Sequence, residues 1–171
     1  MSNTENNIET EVKYLIEMPN LEALKSREGC TEKKILQTYL LSQNGTTRRI
    51  RQTVSDGEKK YILTEKIRIS SLSAYENEKE ITEEEYISLL RQADKSRRPI
   101  EKTRYAFPHR SHTVEIDIYP FWKDRAILEI ELLSESDEYS IPDFIKVLKN
   151  VTDDKRYKNV NLALNPVFDD I

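Results

Sequence analysis

Residues 8–16 read IETEVKYLI, and from Ile8 to Tyr14 charged and uncharged side chains alternate. Side chains of a β-strand point to opposite faces in turn, so Glu9, Glu11 and Lys13 share one face. A solvated sheet face would account for one such strand. The period recurs, however. Arg49 and Arg51 flank Ile50, Lys66 and Arg68 alternate with Ile67 and Ile69, and Glu76, Glu78 and Glu80 share one parity of another extended run. Lys102 and Arg104 follow, then Glu115 and Asp117 about Ile116, and Glu129 and Glu131 about Ile130. Some runs are purely acidic and others purely basic. Ordinary surface ion pairs contribute little and do not require that sorting.

The runs are joined by recognisable punctuation. Asn44-Gly45 and Asp56-Gly57 predict hairpins between strands near 33–43, 46–54 and 59–70. A fifth strand is expected near 72–81, and three more near 98–108, 112–120 and 124–133. Pro19 and Gly29 bracket a helix carrying Leu21 and Leu24. Thr82 and Glu85 form a capping box, with Ile81 and Tyr86 as its hydrophobic staple, before an apolar stripe of Tyr86, Leu89, Leu90 and Ala93. Ser140 and Asp143 are placed to cap a short helix bearing Phe144, Val147 and Leu148, and a last helical piece would hold Leu162 and Leu164.

Eight strands in hairpins suit an open sheet, a sandwich or a closed barrel, and only the barrel removes exposed edges. Leu128, Ile130 and Leu132 form an apolar face opposite Glu129 and Glu131. If such apolar faces pack against helices outside the sheet, the charged faces meet in a polar, hydrated lumen. The fold class expected is therefore α+β, a closed eight-stranded antiparallel β-barrel with helices packed outside. One domain spanning residues 1–171 is expected, with no linker long enough to divide it.

Composition narrows the function classes. The chain carries 27 basic and 31 acidic residues, a balance that gives no general nucleic-acid surface but leaves room for a local basic pocket. With Cys30 as the single cysteine, neither an intrachain disulfide nor a cysteine metal cluster can form. The polar start MSNTENNIETE lacks the basic and apolar regions of a signal peptide, and no run is long enough to span a bilayer, so a cytoplasmic protein without a membrane partner is expected. A homodimer is left open. His109 and His112 read as ordinary hairpin groups, and Trp122 as packing at a barrel end.

Guanidinium forks and ammonium groups on one side of such a lumen suit a chain of phosphates. Carboxylates on the other suit Mg²⁺ or Mn²⁺, hard cations that share carboxylate, water and phosphate oxygens. With three glycines the chain has no glycine-rich phosphate loop. Hydrolysis of a phosphoanhydride by a metal-oriented water is the reaction these groups would serve.

The residues also resemble a known family. ETEVK matches the ExExK strand of the CYTH superfamily, the triphosphate tunnel metalloenzymes. The likeness continues in order through LQTYLL, RRIRQ, YILTEK, ENEKEIT, EKTRY, VEIDIY, ILEIEL and VTDDKRYKNVNLA, nearly the whole chain. That resemblance implies an eight-stranded tunnel. It implies metal-binding and catalytic roles for Glu9, Glu11, Glu129 and Glu131, with Lys13 among the catalytic groups. Triphosphate ligands would be Lys13, Arg49, Arg51, Lys66, Arg68, Lys102 and Arg104, with Arg156 from the C-terminal segment. Glu76, Glu78, Glu115 and Asp117 would be supporting acids. Many relatives carry an arginine where this chain has Ala74, and Arg68 has the parity to substitute for it. The implied activity is Mg²⁺- or Mn²⁺-dependent hydrolysis of inorganic triphosphate to diphosphate and phosphate. Alternatives are a thiamine or nucleoside triphosphatase, an adenylate cyclase, and a non-catalytic polyphosphate-binding module.

Overall fold

Each alternating run forms a strand in the computed structural model, which describes residues 7–171. They are β1 (Ile8–Glu17), β2 (Thr31–Leu40), β3 (Thr46–Ser55), β4 (Glu58–Arg68), β5 (Ser73–Ile81), β6 (Ile100–His109), β7 (His112–Ile118) and β8 (Arg125–Glu131). Their hydrogen-bonded order is β5-β4-β3-β2-β6-β7-β8-β1. The ring closes where Ile8, Glu9 and Thr10 of β1 lie opposite Tyr75, Ala74 and Ser73 of β5. This is a closed eight-stranded antiparallel barrel. The first six residues, part of the stretch read as lacking a signal peptide, lie outside the described residues. Among the described residues no helix is long and apolar enough to cross a membrane.

Local chemistry accounts for the connections. Asp56 (φ 49°) and Gly57 (φ 76°) both take the left-handed conformation that a two-residue hairpin between β3 and β4 requires. Thr82 and Glu85 exchange side-chain and backbone hydrogen bonds, each at 3.1 Å, to open helix α2 (Glu83–Leu89). Helix α1 (Leu21–Lys25) is shorter than the Pro19–Gly29 bracket suggests, because Asn20 caps it through Ala23 N and the chain turns at Ser26.

One expectation is corrected. Residues 147–150 do not form a helix. They form a ninth strand, β9 (Val147–Asn150), paired with β1 through Tyr14, Leu15 and Ile16. β5 covers only the beginning of the free edge of β1, and the remaining backbone groups need partners. Pro142 accepts a turn-closing bond from Ile145 N, and the chain then runs extended.

Two apolar regions flank the wall. Outside, Val12 and Ile16, Tyr105 and Phe107, Val114 and Ile116, and Leu128, Ile130 and Leu132 form the main core, with Leu24 of α1 and Ile145 over them. Tyr86 of α2 joins Leu40, Ile50 and Ile81 in a smaller one. Inside, the charged parity becomes apolar toward one end of the barrel. Leu15, Tyr39, Tyr119 and Ile127 pack there with Trp122, Val151, Tyr157, Val167 and Leu162, the last in helix α3 (Asn159–Leu162). Trp122 donates to Val167 O at 2.8 Å. Burying each large apolar group contributes about 1.5–3 kcal/mol, so this plug holds one end of the barrel shut.

Candidate functional site

Beyond the plug the lumen widens into a cavity of about 710 Å³. β1 lines it with Glu9, Glu11 and Lys13, β3 with Arg49 and Arg51, and β4 with Lys66 and Arg68. Glu76 and Glu78 of β5, Arg104 of β6, Glu115 of β7, and Glu129 and Glu131 of β8 complete the charged wall. The period-two pattern thus brings most of the selected residues to one place.

Three selected residues are placed elsewhere. Lys102 and Asp117 lie deeper in the barrel, with Lys102 Nζ 5.8 Å from the ring of the plug residue Tyr119 and their ammonium and carboxylate 2.7 Å apart, side chains 0% and 1% exposed. The apolar plug covers that depth of the barrel, so Lys102 does not face the cavity as the resemblance implied. Arg156 points outward and pairs with Asp154 at 2.7 Å and Asp169 at 2.9 Å. From the same irregular segment it is Lys155 and Lys158 that line the cavity, as does Lys33 of β2. Sequence reasoning missed these three. Lys33 shares the inward parity of Ile35 and Gln37, a signal that was available. The 155–158 turn has no period to read.

The inward cations fall into two groups. Arg104 places Nε and Nη2 on the two oxygens of Asp117 at 2.7 and 2.9 Å. Its Nη1 lies 2.9 Å from Glu115, and Nη2 also lies 3.5 Å from Glu129. Lys13 meets Glu129 at 3.2 Å, and Lys66 meets Glu9 at 2.6 Å and Glu76 at 3.0 Å. Against its own burial, Asp117 is held at about 2 by Arg104 and Lys102. Likewise Lys13 and Arg104 outweigh burial and keep Glu129 well below the usual carboxylate range.

Arg49, Arg51, Arg68, Lys155 and Lys158 have no ion-pair partner among the described residues. Arg49 Nε is buried without any hydrogen-bond acceptor. Arg51 Nε donates only to Gln37 Oε1, at 2.9 Å, and Gln37 in turn donates to Tyr39. Burial, then the neighbouring charges of Arg49 and Arg104, push Arg51 down to about 10. Burial, then Arg68 and Lys13, push Lys158 down to about 8. A buried cation without a counterion is costly, and an anion between these groups would relieve that cost. Arg68 lies opposite Ala74 in the β4–β5 register.

The acids show the complementary imbalance. Glu11 and Glu131 lie directly opposite each other on β1 and β8, where like charges repel. Burial, then the charge of Glu129, push Glu11 up to about 8. Glu131 is also raised, by burial and by Glu9. Hard carboxylates facing one another beside phosphate-binding groups suit Mg²⁺ or Mn²⁺, whose other positions are filled by water and phosphate. Among the described residues no three His, Cys, Asp or Glu side chains are gathered as a ready metal cage. The donor types fit the cation, and two of the four carboxylates are engaged by lysines.

The two histidines lie away from this cavity. His112 Nε2 is 2.8 Å from Asp137, and His109 Nε2 is 3.1 Å from Ser140 Oγ, so both tie the β6–β7 hairpin to the following loop.

No family model and no curated protein matches the chain. Solved structures do. One, described as the inorganic triphosphatase NE1496, is 26% identical, with 92% of this chain and 95% of that one covered at a TM-score of 0.57. The PH1819 protein from Pyrococcus horikoshii OT3 is 20% identical over 75% of this chain and 80% of its own, at a TM-score of 0.60. A putative adenylate cyclase from Vibrio parahaemolyticus is 15% identical over 74% and 79%, at 0.51. The last two show the barrel fold alone.

Proposed function

We propose, from the premise that its fold and structural neighbours match the CYTH superfamily of triphosphate tunnel metalloenzymes, that this chain hydrolyses inorganic triphosphate to diphosphate and phosphate with a divalent cation. One observation carries the reading: a single cavity sets an opposed carboxylate pair, Glu11 and Glu131, against Arg49, Arg51, Arg68 and Lys158, cations without an ion-pair partner among the described residues. A compact polyanion with its metal supplies what both sides lack. The 26%-identical neighbour described as an inorganic triphosphatase supports the same substrate.

In this reading Arg49 and Arg51 grip phosphate oxygens from β3, with Arg68 of the neighbouring β4 and Lys158 of the 155–158 turn as further ligands. Arg68 takes up the charge that Ala74 does not provide. Glu9, Glu11, Glu129 and Glu131 hold the cation, Mg²⁺ or Mn²⁺, which when bound neutralises phosphate charge and orients the attacking water. Arg104, fully engaged by carboxylates, positions Glu115 and Glu129 and is a lesser phosphate ligand. Lys102 and Asp117 brace it from deeper in the barrel. Glu76 holds Lys66 in place, and Glu78 borders the mouth.

The lining favours an inorganic substrate over an organic one. Its one aromatic group, Tyr39, is 3% exposed and offers little surface on which a base or thiazole ring could stack. A phosphate-release panel with tripolyphosphate, thiamine triphosphate, ATP and GTP, with and without Mg²⁺ or Mn²⁺, tests the proposal, with cyclic AMP assayed separately. Tripolyphosphate is expected to give the highest kcat/KM, with diphosphate and phosphate in equal amounts. Preferred turnover of an organic triphosphate, or cyclic AMP formation, would replace this reading. Binding without turnover would reduce the chain to a binding module.

A further inference from the structure

Two of the four carboxylates assigned to the cation, Glu9 and Glu129, are bound to Lys66 and Lys13, ammonium groups that the family resemblance assigns to phosphate. Lys66 Nζ sits 2.6 Å from Glu9 and 3.0 Å from Glu76, with the three side chains 17%, 24% and 15% exposed. Lys13 Nζ sits 3.2 Å from Glu129, with side chains 10% and 7% exposed. Ion pairs this sheltered from water are strong, and removing one partner leaves a costly unpaired charge. Yet a cation needs oxygens of Glu9 and Glu129, and a phosphate needs protons of Lys66 and Lys13.

Resting on the site roles proposed above, we infer that Lys66 and Lys13 act as internal latches on the metal-binding carboxylates, so that cation and triphosphate each free the group the other requires. A cation arriving alone takes Glu9 and Glu129 and strands two ammonium groups beside a divalent charge. Triphosphate arriving alone takes the lysines and strands carboxylates facing phosphate. Arriving together, they re-pair every charge: carboxylates with metal, lysines with phosphate. The latches therefore weaken each ligand taken singly and favour the pair. Such coupling is reciprocal by thermodynamic necessity. The same latches account for the four carboxylates assigned to the cation lining the lumen without three acidic side chains gathering as a cage among the described residues.

This arrangement has a consequence that a simple phosphate-ligand role for Lys66 lacks: removing the lysine should strengthen metal binding. Mn²⁺ alone, with no phosphate present, is titrated by electron paramagnetic resonance into the wild type and into Lys66→Met, and tripolyphosphate alone is titrated by calorimetry in the presence of chelator. Using single ligands excludes the complex that the two form in free solution. Lys66→Met is expected to bind Mn²⁺ about tenfold more tightly and metal-free tripolyphosphate about tenfold more weakly. Lys13→Met should shift both in the same directions through Glu129, and serves if Lys66→Met fails to melt cooperatively. Unchanged or weaker Mn²⁺ binding in the folded variants overturns the latch. If the wild type binds Mn²⁺ and tripolyphosphate together yet the variants leave Mn²⁺ affinity unmoved, the latch alone fails. If the wild type binds neither ligand, the reading of the site fails with it.

Discussion

Along β6 and its neighbour β7, the inward cations Lys102 and Arg104 share the carboxylate of Asp117, each at 2.7 Å. Along β3, at the end of β4 and in the 155–158 turn, Arg49, Arg51, Arg68 and Lys158 have no carboxylate partner among the described residues. Both walls carry inward basic side chains, Arg104 at the cavity and Lys102 deeper in the barrel. They differ in whether charge is satisfied internally. The matched wall spends its charges on holding side chains in place, and removing the carboxylate that Lys102 and Arg104 share would leave buried charge unpaired. The unmatched wall leaves repulsion unrelieved, a standing cost that a bound anion removes. Stability should therefore respond to mutations in the first wall, and substrate affinity to mutations in the second.

The largest effect expected breaks the link between the walls. Glu11→Gln removes a carboxylate that makes no ion pair within 4 Å among the described residues, so the fold should persist while tripolyphosphate turnover falls about a thousandfold, a loss of several kcal/mol of metal-dependent stabilisation. Phosphate release at saturating metal, beside a melting curve, reads both quantities.

Within the matched wall, Asp117→Asn leaves Lys102 and Arg104 without the carboxylate they share. The expected cost is about 3–5 kcal/mol of stability, which for a chain of this size lowers Tm by about 10 °C. A Tm within a degree of wild type would mean that this wall is not held by its ion pairs.

The unmatched wall should answer in the opposite sense. Arg49→Ala is expected to weaken triphosphate binding by about ten- to a hundredfold, the worth of a charge-assisted hydrogen-bonding group. It should move Tm only slightly, because the loss of a buried unpartnered Nε is set against the loss of attraction to Tyr39, Glu76 and Glu9. Calorimetric titration and melting of the same preparation separate the two outcomes.

How far this contrast was legible in the sequence depends on the element. Parity assigned the inward face of every barrel strand but β2, because a period of two survives any tilt of the strand. Asp56-Gly57 and the Thr82–Glu85 box announced their turns through chemistry that acts within a few residues. Depth along the lumen was not legible. Lys102 and Arg104 share parity, yet one is sealed against the plug and the other reaches the cavity. That difference is set by the stagger of strands around the barrel and by apolar groups from Tyr119 to Val167, all distant in sequence. β9 was missed because its extended form is dictated by the free edge of β1, more than a hundred residues away. Arg156 and Lys158 lie two apart in a turn without regular geometry, where parity has no meaning.

The smallest effect sharpens the role of that turn. Lys158 is held down to about 8 by burial and by Arg68 and Lys13, so it is charged below that pH and neutral above it. Because the charged form attracts phosphate, kcat/KM for tripolyphosphate should fall a few-fold as pH rises from about 7 to about 9. Lys158→Met should remove this limb of the profile and leave the rest. An unchanged profile would place Lys158 outside the phosphate path.

A crystal structure with Mn²⁺ and a slowly hydrolysed imido analogue of tripolyphosphate, with the metal located by anomalous scattering, tests the central claim most directly. The account predicts phosphate oxygens within hydrogen-bond reach of Arg49 and Arg51, and Mn²⁺ between the β1 and β8 carboxylates. Lys66 and Lys13 should have turned from those carboxylates to phosphate. Ligand bound outside the barrel, or phosphates held by the matched wall while Arg49 and Arg51 stay unpartnered, would contradict it.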